Sequence, residues 1–175
     1  EGQAYDKMFE NKKYVSIDEY EKMISLKTGY MIGLCSHLGS ICAKADNDVQ
    51  QCMKEYGLEI GKAYQIQDDY MEVFSTEEIM KKSLKSDIEL NKKTYMVCLA
   101  FDIDPQGFES IVNSNKKSTE KLILLRNFFN ETKIKERAMD EINDSFNKAD
   151  RTLESIDFKK NHLLKLNNYL KNRGN

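Results

Sequence analysis

Proline and glycine, the residues that punctuate a chain, are scarce here: one proline, Pro105, and eight glycines in 175 residues. Strand-like alternation of apolar and polar residues is almost absent, which argues against a sheet-based fold. Apolar residues instead recur at three- and four-residue spacing, the period of helices. No run of about 18 apolar residues occurs, so the sequence holds no candidate membrane span. Charge of neither sign dominates, because 27 basic and 29 acidic residues leave a net charge of -2. With no long basic tract either, nothing argues for nucleic acid or an anionic membrane as partner. The four cysteines, Cys35, Cys42, Cys52 and Cys98, form no CxxC pair, and His37 and His162 lie badly for zinc. Among apolar neighbours these cysteines are expected to be buried free thiols in a reducing compartment. Both histidines are expected to be structural or at the surface. No signal peptide is evident, but the sequence starts at Glu1 rather than Met, so this carries no weight.

What is present reads as nearly continuous helix in a chain of one domain's size. Charged residues make up 32% and apolar ones 40%, the balance of a globular protein. Ser16 and Glu19, in SIDE, form a capping box. The helix they open is expected to run to about Ala45, burying a stripe of Tyr20, Ile24, Met31, Leu34, Leu38, Ile41 and Ala45. Lys27 falls inside that stripe, an odd place for a charge. A second helix is expected from about Asp48 to Phe74. After a polar, lysine-rich stretch from Ser75 to Thr94, TYMVCLAF reads as the start of a buried helix. DIDPQG, Asp102 to Gly107, is a breaker. Amphipathic helices are expected over Thr119–Asn130, from Thr132 to about Ile156, and from Asn161 onward.

The chemistry concentrates in AYQIQDDYMEVF, Ala63 to Phe74. Gly57, Gly61, Gln65, Asp68 and Glu72 follow one another at three or four residues and so share a helix face. The glycines let a helix or a ligand come close. Like charges at that spacing weaken a helix unless something cationic sits between them. Carboxylates four residues apart can converge on one hard cation, and magnesium prefers a few carboxylates plus water and substrate phosphates. A solvated acidic face is the plain alternative. Two things favour the metal: the acids end an apolar, glycine-bearing face, and Asp87 follows amid Lys81, Lys82, Lys85 and Lys92. Lysines and carboxylates beside a magnesium site are how a diphosphate is held.

These residues resemble the trans-isoprenyl diphosphate synthases, within them the eukaryotic farnesyl and geranylgeranyl diphosphate synthases. YQIQDDYMEVF is similar to the family's second aspartate-rich motif, FQxQDDYLD, with Tyr64 for Phe and Glu72 for the last Asp. KSDIELNKKTY is similar to the G(T/S)DIxxNKxSW element, and SIDEYEKMISLKTG to the helix ending in a Lys-Thr pair, here Lys27 and Thr28. GQAYD is similar to the GQxxD element. The four elements occur in the family's order between Gly2 and Phe101. Beyond them the likeness is helical, apart from the basic residues Lys171 and Arg173.

The resemblance implies an all-α bundle of long helices around a deep central pocket. It implies an enzyme that ionises an allylic diphosphate, whose carbocation is attacked by isopentenyl diphosphate. Three magnesium ions neutralise the departing pyrophosphate. Asp68 would ligate metal directly, Glu72 and Asp87 through metal-bound water, with Asp69 and Asp6 as supporting acids. Lys27, Lys92, Lys82 and Arg173 would bind diphosphate, Lys82 only with one residue inserted before Asp87. Thr28 and Gln65 would line the cavity where the cation forms. Lys27 in an apolar stripe then makes sense, because the stripe walls a cavity. The plain alternatives are a snorkelling Lys27, Asp6 as a helix cap and Arg173 as a frayed terminus.

Family members are about twice this length and carry a first motif, DDxxD, that has no counterpart here. The chain therefore resembles the C-terminal half, with the motifs in 2–101 and further helices in 118–175, and alone it is expected to lack catalysis. Homodimers and a cytoplasmic location are the family-based expectations, while product length is not legible. Two other classes stay open: a terpene synthase, whose second motif (N/D)DxxSxxxE fits poorly, and a non-catalytic helical subunit.

Overall fold

The computed structural model describes residues 1–74 and 92–173. Those residues form helices α1 (Gly2–Phe9), α2 (Ile17–Ile24), α3 (Tyr30–Cys42), α4 (Asn47–Phe74), α5 (Tyr95–Ile103), α6 (Pro105–Val112), α7 (Ser118–Glu131), α8 (Ile134–Glu154) and α9 (Asn161–Lys171), with a π-helical turn, Ser25–Gly29, between α2 and α3. No strand occurs among them. No described helix is long and apolar enough to cross a membrane.

Local chemistry sets most boundaries. Ser16 accepts the amide of Glu19 while the Glu19 carboxylate accepts the amide of Ser16, the expected capping box. Thr94 caps α5 by accepting the Val97 amide. Asp104 caps α6 by accepting the Gly107 amide, with Pro105 in the first turn where its missing N–H is no loss. The DIDPQG breaker is thus a single-residue joint, and α6 behind it had no counterpart in the periodicity reading. Lys133, in a left-handed conformation, separates α7 from α8.

The 28-residue α4 is the central strut, with α3 on one side and α8 on another. Tyr20, Ile24, Ile60, Ile66, Ile142 and Phe146 are among the most buried side chains. Lys62 ties three helices together, reaching Glu21 at 3.0 Å and Glu141 at 2.8 Å. Phe101, Phe108, Phe128 and Phe129 form one ring cluster, Phe108 stacking on Phe129 and the other pairs meeting edge-on or tilted.

Two expectations need correcting. The helix opened at Ser16 is not one regular helix to Ala45. The Tyr30 amide reaches back five residues to the Ser25 carbonyl, which adds one residue to that turn. An added residue rotates everything beyond it by roughly 100°. The apolar stripe therefore splits: Tyr20 and Ile24 are buried, while Met31, Leu34, Leu38 and Ile41 are 63, 40, 49 and 43% exposed. Gly33 and Ser40 turn inward in their place. The second correction concerns the thiols, since Cys52 and Cys98 are buried but Cys35 and Cys42 lie on the exposed side of α3.

Candidate active site

The site is built on the crossing of α4 with the π turn. At Gly61 a Cβ would stand 2.5 Å from the Gly29 Cα, and at Gly57 one would stand 2.7 Å from the Gly33 Cα. Two glycine-on-glycine contacts let the backbones meet without side chains between them. What the small residues admit is a helix. Gly2 closes the turn from the other side, since a side chain there would collide with the Lys27 backbone.

That crossing sets Gln65, one turn beyond Gly61, against Thr28. The Thr28 hydroxyl donates to Gln65 Oε1 at 2.9 Å. Lys27 Nζ lies 2.6 Å from an Asp6 carboxylate oxygen, both partly buried. Asp6 thus stands as counter-ion to Lys27. Asp68 is one turn farther along the face, where Arg173 Nη2 approaches it to 2.5 Å. The same guanidinium lies 3.9 Å from the centre of the Tyr64 ring. Burial raises the Asp68 pKa, with Arg173 opposing the shift. Gln67 holds the end of α9 in place, donating toward the carbonyls of Leu170, Lys171 and Arg173.

Asp69 is placed differently from its neighbour Asp68. It is 8% exposed and turned into the core. Its Oδ2 accepts the Tyr20 hydroxyl at 2.6 Å and the Tyr95 amide at 3.1 Å, and its Oδ1 accepts Gln65 Nε2 at 3.3 Å. Burial pushes its pKa up to about 6, against those three donors. Both oxygens of Asp69 thus serve protein donors. Tyr20, which the sequence reading took only as a core residue, is one of them.

Glu72 and Lys92 line one cavity of about 290 Å³, floored by Phe101, Phe108 and Phe129. Lys92 stands three residues before Tyr95, whose amide donates to Asp69. Lys82 and Asp87, with Lys81 and Lys85, lie outside the described residues. No cluster of three or more His, Cys, Asp or Glu side chains suited to a metal occurs among the described residues. Asp68 and Glu72 are two carboxylates one turn apart on α4, which fits magnesium completed by water and phosphate oxygens better than an all-protein cage.

The profile of the polyprenyl synthetase family matches residues 1–131. The chain belongs to this family. It is 41% identical over 97 residues to a geranylgeranyl diphosphate synthase of Saccharolobus solfataricus, a stretch covering 55% of this chain and 29% of that protein. It is 35% identical over 96 residues to a (2E,6E)-farnesyl diphosphate synthase of Mycobacterium bovis, covering 55% and 27%. In three dimensions it is similar to a geranylgeranyl pyrophosphate synthetase from Pyrococcus horikoshii, with a TM-score of 0.87 at 26% identity, covering 98% of this chain and 54% of that one. The polyprenyl synthetase fold is therefore present over essentially the whole chain. The chain spans about half of that solved relative and a smaller share of the two sequence relatives. The described helices account for only part of the family's bundle.

Proposed function

We propose that this chain is the second-motif half of a magnesium-dependent trans-prenyltransferase, which joins isopentenyl diphosphate to an allylic diphosphate. The observation that carries this reading is the Thr28–Gln65 hydrogen bond, flanked by Lys27 on one side and Asp68 on the other. It groups oxygen dipoles, a cation and a carboxylate, which is what ionising an allylic diphosphate requires.

Lys27, Lys92 and Arg173 bind the diphosphate, whose negative charge grows as the carbon–oxygen bond breaks. Lys82 joins them if the inserted register holds. Asp68 and Glu72, with Asp87, would hold magnesium, which would supply charge neutralisation for the leaving pyrophosphate. Thr28 and Gln65 turn oxygen toward the allylic cation, stabilising it until isopentenyl diphosphate attacks. A proton then leaves and the chain is longer by one five-carbon unit. A homodimeric, cytoplasmic enzyme is part of the same proposal.

The relatives named above make geranylgeranyl or farnesyl diphosphate, and this chain's own product belongs to the same size class. Because the chain spans only part of them, turnover is assigned to the complete enzyme, this chain together with the portion it does not span. The test is a condensation assay with magnesium, isopentenyl diphosphate and each allylic diphosphate in turn, products being sized by mass spectrometry. Prenyl diphosphate from the complete enzyme, lost on chelation, supports the reading. A hydrocarbon product without chain extension would replace it with a terpene synthase, and no product would leave a non-catalytic subunit.

A further inference from the structure

Thr28, Gln65 and Asp69 form a chain of hydrogen bonds whose direction is fixed at one end. Asp69 accepts at both of its oxygens. Two donors, the Tyr20 hydroxyl and the Tyr95 amide, converge on Oδ2, so Oδ1 is the atom left to face Gln65. Gln65 meets it with its NH2, Nε2 lying 3.3 Å from Oδ1. The Gln65 carbonyl must then face Thr28 and take its hydroxyl hydrogen. Thr28 is left with both lone pairs and no hydrogen to present.

We propose that Asp69 is a positioning residue that sets the polarity of the Asp69–Gln65–Thr28 chain, so that Thr28 offers oxygen lone pairs to the allylic cation. This rests on the prenyltransferase reading and deepens it. A hydroxyl hydrogen aimed at a cation repels it, whereas lone pairs stabilise it, so the direction of this chain bears on the barrier itself. Asp69 does so without touching substrate, one helix turn from Gln65.

Asp69→Asn is nearly isosteric and tests the idea. The Tyr20 and Tyr95 donors require the asparagine oxygen in the place of Oδ2, which puts its NH2 opposite Gln65. The Gln65 amide must flip, Thr28 becomes an acceptor, and every hydrogen bond survives with the chain reversed. In the complete enzyme, kcat is expected to fall roughly a hundredfold, the effect of misdirecting one preorganised dipole, with the magnesium requirement unchanged. Adding Gln65→Glu keeps the net charge of the pair. It also restores an acceptor toward Thr28, so the double variant recovers most of that loss. Tyr20→Phe removes a bond to the same carboxylate but leaves the direction alone, so it lowers thermal stability with kcat near wild type.

Wild-type kcat in Asp69→Asn overturns the proposal. So does a loss made good by excess magnesium, which marks a metal ligand, or a loss that the double variant does not repair. Neutron diffraction gives a readout independent of turnover. The Thr28 deuterium should point at Gln65 in the wild type and away from it in Asp69→Asn, and an unchanged position overturns the proposal. A wild-type enzyme that condenses nothing yet shows the expected deuterium would count against the prenyltransferase reading alone.

Discussion

Arg173 and Asp68 meet at 2.5 Å, and the same guanidinium lies over the Tyr64 ring. The end of α9 is thereby fastened to the face of α4 on which the acids stand, with Gln67 gripping the backbone carbonyls around it. A cation held there by a ring face and a carboxylate is partly desolvated, which strengthens its pull on an incoming diphosphate.

Replacing Arg173 by Gln should therefore raise the KM for the diphosphate substrate roughly tenfold or more, about the 1.5–3 kcal/mol of a hydrogen bond to a charged group. The effect on kcat should be smaller. Steady-state kinetics on the complete enzyme check this, and an unchanged KM would mean that Arg173 serves the fold of α9 only.

Asp68→Ala should lower kcat by several orders of magnitude while far-ultraviolet circular dichroism stays helical, because Asp68 is partly exposed and its removal leaves no hole in the core. Turnover near that of the wild type would end its assignment as a metal ligand.

Magnesium and pyrophosphate together should protect the enzyme against heat. At a hundredfold excess over Kd, binding stabilises by about 2.7 kcal/mol, a rise in Tm of roughly 3 to 5 °C for an enzyme of about twice this chain's length. Chelation of the metal, or Asp68→Ala, should abolish the rise. A scaffold protein would show no such shift in a thermal scan.

Gly61 and Gly39 should respond in opposite ways to alanine. At Gly61 the new Cβ meets backbone at 2.5 Å, so α4 and the π turn must part, at about 1–3 kcal/mol or more. Activity should fall with it, because the Lys27–Thr28 turn moves. At Gly39 nothing lies within 4 Å, and alanine in a helix should stabilise by about 0.5–1 kcal/mol. Chemical denaturation of the two variants measures both.

The outer face of α3 exposes Tyr30, Met31, Leu34, Leu38 and Ile41 with no charged residue between Thr28 and Ala43. Such a face drives association. This chain by itself should sediment as oligomers, and Leu34→Gln with Leu38→Gln should shift it toward monomer. A monomeric wild-type chain at tens of micromolar would contradict this.

Helix content, the Ser16 capping box, the extent of α4 and the shared face of Gly57, Gly61, Gln65, Asp68 and Glu72 were legible in the sequence. They depend on local hydrogen bonding and on the 3.6-residue period, both of which act within a few neighbours. The motif order pointed to the family for the same reason, since residue type and spacing are one-dimensional. The π turn was not legible, because one extra residue between α2 and α3 is favoured by the contact of Gly29 with Gly61, 32 positions away. The destiny of Asp69 was hidden in the same way. In DDYME two adjacent acids look alike, yet successive positions on a helix point about 100° apart. Which of them meets solvent is decided by what packs there. Tyr20 and the first amide of α5 claimed Asp69, and Arg173 claimed Asp68. The sequence by itself determined most of the helices and which acidic and basic residues their faces carry. Only the tertiary structure decided which carboxylate faces outward and which organises the core, because that choice belongs to partners brought from distant parts of the chain.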